Sequence, residues 1–178
     1  MVSNLLDHAR REVQQQRLIP QRIDLHAVFA RIGVACVGLS RYYTDPAIPI
    51  QIELDSAPLS IIADPEQFER AILNLVDNAL VRAPLNSVIH IRVMQRATSI
   101  MIEVQDGGAG MPQTIIAMLM SDAPDREDVG LELGFGLVQV KAMVESHRGV
   151  LAFTTGMTGT TIQLELPKER NDEPCLDY

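Results

Sequence analysis

Asn74, Asn78 and Arg82 recur every four residues, so on a helix they stand in one row. Carboxamides are poor helix-interior residues because they compete for local backbone hydrogen bonds. A row of them beside an apolar stripe suggests a ligand lying along the helix; the alternative is a solvated edge with two ordinary asparagines. Further on, Asp106-Gly107-Gly108-Ala109-Gly110 sets a carboxylate ahead of three glycines. Glycine permits close backbone approach and positive φ, so a flat ligand fits such a turn while Asp106 accepts a hydrogen bond from it. A plain strand-to-turn Asp-Gly is the other reading. Gly134-Phe135-Gly136-Leu137 places two glycines ahead of a helical pattern. There, free N–H groups and the helix dipole hold phosphate, unless the pair merely caps. Gly156 to Gly159, followed by Thr160, is a third glycine turn, or simply a hairpin connection.

The elements that must position these residues are legible from periodicity. Phe68 to Arg82 carries apolar residues at 68, 71, 72, 75, 76, 79 and 80, the stripe of a helix with one buried face. Asp64 is its expected N-cap, Pro65 its first residue, and Gln67 completes a capping-box spacing. Val88 to Met94 and Ile100 to Val104 alternate as an antiparallel hairpin that ends at Asp106. Before the central helix come a strand from Arg22 to Leu25, a helix over 26–40 weakened by Gly33 and Gly38, a strand at Ile50 to Leu54, and a short strand at Ile61 and Ile62. After Asp106 come a helix from Pro112 to Met120, an acidic mobile loop from Ser121 to Glu132, a helix from Leu137 to Ser146, and strands at Val150 to Phe153 and Thr160 to Leu166. Residues 2–16 read as a charged amphipathic helix with Val2, Leu5, Leu6, Ala9 and Val13 on one side, ended by Pro20. Residues 168–178 read as a flexible tail. This order gives an α/β fold: a two-layer sandwich of a mixed, mostly antiparallel sheet with about three helices on one face, preceded by a short helix.

Composition narrows the function. The 178 residues are 47% apolar but only 4% aromatic with no Trp, so the core is aliphatic. A net charge of −8 argues against a nucleic-acid partner. Cys36 and Cys175 lie far apart, which fits a reduced, cytoplasmic setting. No apolar run approaches the ~18 residues of a membrane helix, and no signal peptide opens the chain. Helical pattern starts directly after Met1, so a fragment of a longer protein is expected.

Together and in this order the motifs resemble the ATP-binding catalytic domain of sensor histidine kinases. These belong to the Bergerat-fold superfamily, with the heat-shock chaperone and mismatch-repair ATPases. ADPEQFERAILNLVDNAL from Ala63 resembles the family's asparagine box, and His147-Arg148-Gly149 stands where such kinases usually have His-Gly-Gly. The resemblance covers residues 22–167. It implies that NLLDHARRE, within 1–18, is the end of the dimerisation and phosphoacceptor helix. It also implies ATP and Mg²⁺ as cofactors, with Asn78 coordinating the metal and Asn74 beside it. Asp106 would bind the adenine amino group, with Gly108, Gly110 and Met111 around the base and Thr160 closing that side. Gly134, Phe135, Gly136 and Leu137 would meet the phosphates, and residues 112–132 would form a lid.

Three positions depart from the family pattern. Val81 stands where a lysine is usual, and helical geometry instead puts Arg82 in line with the asparagines, as the expected phosphate-side cation. Glu132 replaces the first glycine of the usual GxGxG, and IIAMLM at 115–120 stands where a phenylalanine-containing box belongs. At position 74 the hydrolytic members carry Glu as a base. Asn cannot serve as one, which favours transfer to histidine over hydrolysis. His8, His26, His90 and His147 all lack a phosphoacceptor context, with His26 and His147 expected to be exposed. The resemblance therefore implies an ATP-dependent protein-histidine kinase domain whose target lies outside this chain, with Asn74 and Arg82 as its catalytic pair. Its implied partners are a phosphoacceptor domain and a response regulator, in a homodimeric parent that is cytoplasmic or anchored in the inner membrane. The alternative is a docking module of the same fold with little ATP turnover.

Overall fold

A computed structural model describes residues 19–44, 46–120 and 134–168. The expected leading helix with His8, the loop containing Glu132, and the tail from residue 169 lie outside them. The described elements run β1 (Gln21–Asp24), α1 (Leu25–Tyr43), β2 (Ile50–Leu54), β3 (Ser60–Ala63), α2 (Pro65–Arg82), β4 (Ile89–Gln95) and β5 (Ser99–Gln105), followed by α3 (Gln113–Met120), α4 (Gly134–Ser146), β6 (Val150–Gly156) and β7 (Gly159–Pro167). Five strands form one sheet in the order β2-β4-β5-β7-β6, while β1 and β3 pair as a separate ribbon. Only β2 and β4 run parallel; the other ladders are antiparallel. This is the mixed two-layer α/β sandwich that the pattern of elements implies.

Alternation decides which face of the sheet is buried. Ile89, Ile91 and Val93 of β4, Ile100, Ile102 and Val104 of β5, and Ile162, Leu164 and Leu166 of β7 all point into the core. The opposite face is polar: Arg92 lies 3.6 Å from Glu53 and 3.9 Å from Glu103, and Gln163 Nε2 donates to Glu103 Oε1 at 2.6 Å. Such half-exposed pairs keep that face wetted more than they stabilise it. Helices α1, α2 and α4 cover the apolar face, bringing Leu25, Phe29, Phe68, Leu75, Leu137 and Val140 into one continuous cluster. Phe29 and Phe68 meet edge to face with centroids 6.2 Å apart, an aromatic pair inside an otherwise aliphatic interior. Cys36 is buried in that interior, and burial pushes its thiol up to about 11, so it is no nucleophile.

Helix α2 forms where its stripe requires: Phe68, Ala71, Ile72, Leu75, Val76, Ala79 and Leu80 are all buried. Its cap differs from the expected one. Asp64 Oδ1 does accept from Gln67 N–H at 3.1 Å, but Gln67 Oε1 has no partner among the described residues, so the reciprocal half of the box is not made. The Asp64 N–H instead donates to His147 Nε2 at 3.0 Å. Because that nitrogen accepts, the ring proton sits on Nδ1, which reaches Met143 O at 2.8 Å. His147 is thus half-buried and corrects the expectation of an exposed residue: it ties the end of α4 to the start of α2. Lys168, read from the sequence as the start of the tail, still donates its N–H to Thr98 O at 3.0 Å.

Candidate functional site

Asp106 leaves β5 at the edge of the helical layer and is only 6% exposed. Its Oδ1 accepts from Gly108 N–H at 2.8 Å and Thr160 N–H at 3.2 Å, while its own N–H donates to Thr160 O at 2.9 Å. Among the described residues Oδ2 has no hydrogen bond, which leaves it for a ligand. Burial raises the Asp106 carboxyl above its ordinary value, opposed by the two N–H donors and by the positive charge of Arg82. The glycines beside it are required by contact. A Cβ on Gly108 would lie 2.6 Å from Arg82 O, and one on Gly110, at φ 84°, would lie 2.4 Å from Gly156 O. Met111 N–H donates to Thr155 Oγ1 at 2.6 Å, and Thr155 Oγ1 lies 3.4 Å from Thr160 Oγ1. The turn after β5 is therefore pressed onto the β6–β7 hairpin.

Gly159 makes that contact possible. It sits at φ 130°, and a Cβ there would lie 2.0 Å from the carbonyl oxygen of Asp106. Gly159→Ala is expected to cost at least about 2 kcal/mol from backbone strain alone. In a chain of this size that lowers Tm by roughly 4 °C or more. A thermal melt unchanged from wild type would show that the hairpin does not bear on the Asp106 turn.

The second cluster lies about one to two turns back from Arg82 along α2. Asn74 Nδ2 donates to Gln139 Oε1 of α4 at 3.0 Å, and Asn78 Nδ2 donates to Asn74 O at 3.1 Å. Gly136 packs directly on Asn74, where a Cβ would meet Asn74 Cβ at 3.3 Å and Oδ1 at 3.6 Å. Gly134 and Phe135 open α4, and Leu137 behind them is fully buried. The first turn of α4, with N–H groups that have no intrahelical partner, thus faces the asparagine row. Val81 is 64% exposed, whereas Arg82 is half-buried with its charge felt by Asp106. Residue 82 rather than 81 therefore continues the row toward the site. From Asn74 to Arg82 the helix rises about 12 Å, so a ligand touching both clusters must be elongated.

The donor chemistry suits a hard cation. Both carboxamide nitrogens are committed to partners, which leaves two amide oxygens, the ligand type that Mg²⁺ prefers. Among the described residues no group of three or more His, Cys, Asp or Glu is placed to hold a metal. A cation here would take one or two oxygens from the described residues.

Gln139, Thr155 and His147 also bear on the site's elements, although sequence reasoning gave them no role in it, and Gly159 was read only as the end of a glycine turn. Gln139 had one signal, being polar within the otherwise apolar run Leu137-Val138-Gln139-Val140. The other three act through partners distant in the chain.

Comparison with known proteins decides the family. The model of the histidine kinase-, DNA gyrase B-, and HSP90-like ATPases matches residues 63–170, more than half the chain and every residue of the site described above. The chain belongs to this family. Within this ATPase family it is similar to sporulation kinase B of Bacillus subtilis, 25% identical over 172 residues that make up 95% of this chain and 38% of that protein. It is also 31% identical over 175 residues to sensor histidine kinase TmoS of Ectopseudomonas mendocina, covering 93% of this chain and 17% of that one. The mycobacterial sensor histidine kinase MprB shares the fold, with a TM-score of 0.65 at 24% identity, over 85% of this chain and 99% of that structure. The chain thus corresponds to the ATPase part of histidine kinases and spans well under half the length of these curated relatives. Among the described residues no helix is long and apolar enough to cross a membrane.

Proposed function

We propose that this ATPase-family domain binds Mg·ATP between α2, the Asp106 turn and the first turn of α4, and transfers the γ-phosphoryl group to a histidine outside this chain. The observation that carries this reading is the packing of Gly136 on Asn74, which sets a carboxamide row against the N-terminus of a helix. Asp106 would accept a hydrogen bond from the adenine amino group through Oδ2. Gly108, Gly110 and Met111 would flank the base, and Thr160 would support it from the hairpin. Asn78 would hold the metal, with Asn74 beside it. Gly134, Phe135, Gly136 and Leu137 would offer backbone N–H groups to the phosphates, and Arg82 would contribute positive charge.

Mg²⁺ held by Asn78, with Asn74 beside it, would supply neutralising charge for the phosphates. The chain's own groups position and neutralise. The attacking imidazole supplies its lone pair to phosphorus, the β-phosphate oxygen leaves with the electrons of the broken bond, and the surplus imidazole proton passes to solvent. Asn74 holds no proton-accepting group at neutral pH, so water is not activated in competition.

On this reading the domain works in the cytoplasm, with a phosphoacceptor and dimerisation domain as its immediate partner and a response regulator after it, in a homodimeric parent. No observation favours the docking-module alternative. The test is calorimetric titration of the chain with Mg·ATP and Mg·GTP, followed by labelled ATP with an added phosphoacceptor-domain fragment. ATP binding, rejection of GTP, and acid-labile label on the fragment's histidine are expected. No binding at millimolar nucleotide would sink the kinase reading in favour of docking.

A further inference from the structure

The carboxamide of Asn74 can present either an oxygen or an NH₂ group to the space beside Gly136, because rotation about its last bond is nearly two-fold. Only one of these faces is useful to a cation. In the structure Gln139 Oε1 accepts from Asn74 Nδ2 at 3.0 Å, and Asn74 Oδ1 is left on the side of Gly136. The reverse orientation would set an NH₂ group toward the N–H groups of the first turn of α4, which have no intrahelical partner, donor against donor.

We propose that Gln139 is a positioning residue for the divalent cation, holding Asn74 so that its carbonyl oxygen stands beside that of Asn78. The inference rests on the Mg·nucleotide reading above and assigns a role to a residue on the opposite helix. Gln139 lies one turn after Gly136 on the same face of α4. The missing side chain at Gly136 lets α4 approach closely enough for the two amides to bond. Asn78 is oriented by its own helix, donating to Asn74 O at 3.1 Å, so it needs no such partner. Asn74 has no equivalent within α2, and a polar residue in the otherwise apolar start of α4 supplies it. Residues that orient a metal's ligands matter nearly as much as the ligands themselves.

The test measures ADP affinity of the full chain by calorimetry, with Mg²⁺ and again with EDTA, and takes the ratio. Gln139→Met keeps the volume and removes the acceptor; Gln139→Glu keeps an acceptor. The Met variant is expected to lose about tenfold of the Mg²⁺ enhancement, with the EDTA affinity and the thermal melt unchanged, while the Glu variant keeps the enhancement. Asn74→Asp supplies a carboxylate with no wrong face, so in that background the change at 139 should have no further effect. An enhancement unchanged in Gln139→Met, a loss shared by Gln139→Glu, or a loss that persists beside Asn74→Asp would each overturn the proposal. A wild-type chain that binds no ADP in either condition would instead remove the nucleotide reading beneath it.

Discussion

Replacing Asp106 by Asn will cost the domain most of its ATP affinity while making its fold more stable at neutral pH. Asn preserves an oxygen for the N–H groups of Gly108 and Thr160, so the turn is kept. At the Oδ2 position it presents a donor where adenine needs a charged acceptor. Losing a hydrogen bond to a charged group weakens binding by about tenfold to a hundredfold, and discrimination against GTP should fall with it. The stability effect has the opposite sign. Burial raises the Asp106 carboxyl above its ordinary value, so folding disfavours the charged form. The stability linked to this group is fully present below the unfolded carboxylate value and is lost as pH rises through the folded one. Asn is uncharged throughout, so the variant should melt higher than wild type at pH 7, and the gap should close below about pH 4. Urea melts at both pH values check this; a variant less stable at pH 7, with the deficit closing at low pH, would show that the charged form is favoured where it stands.

Asn78→Ala should separate metal from nucleotide. The side chain contributes one half-buried hydrogen bond to Asn74 O, and alanine is the better helix former, so stability should change by less than about 1 kcal/mol. Loss of the amide oxygen should remove the Mg²⁺-dependent part of ATP binding, roughly a hundredfold or about 3 kcal/mol. Residual affinity in EDTA should match wild type. Titration with and without Mg²⁺ reads both quantities, and equal Mg·ATP affinity in the two proteins would remove Asn78 from the metal's shell.

The parts of this molecule that were legible in its sequence are those governed by local periodicity. The stripe from Phe68 to Leu80 gave α2 to within its first turn, because one buried face over four turns leaves little choice of period. Alternation gave β4 and β5 to within a residue at each end. Helix α1 runs on to Tyr43 despite Gly33 and Gly38, since Leu25, Val28, Phe29, Ile32 and Cys36 bury enough surface to override two weak formers. Asp64 was readable as a cap, but the destination of its N–H was not, because His147 lies 83 residues away. Thr155, and the contact that Gly159 makes, escaped for the same reason: their partners, Met111 and Asp106, meet them only when the last hairpin docks. The asparagine row, Asp106 and the glycines were visible as residue types at a spacing, whereas the contact between Asn74 and Gln139 required the distance between two helices.

Strand β7 closes the chain's described fold yet occupies an interior slot of the sheet, between β5 and β6. A nascent chain halted before Gly159 would therefore leave the ribosome with the β5 edge bare and with Asp106 lacking the Thr160 amide that holds it. Nucleotide cannot act as an early folding aid for this domain, because the base-side wall is the last part of the described fold to be made. Until then the growing polypeptide must be kept from pairing with its neighbours by other means.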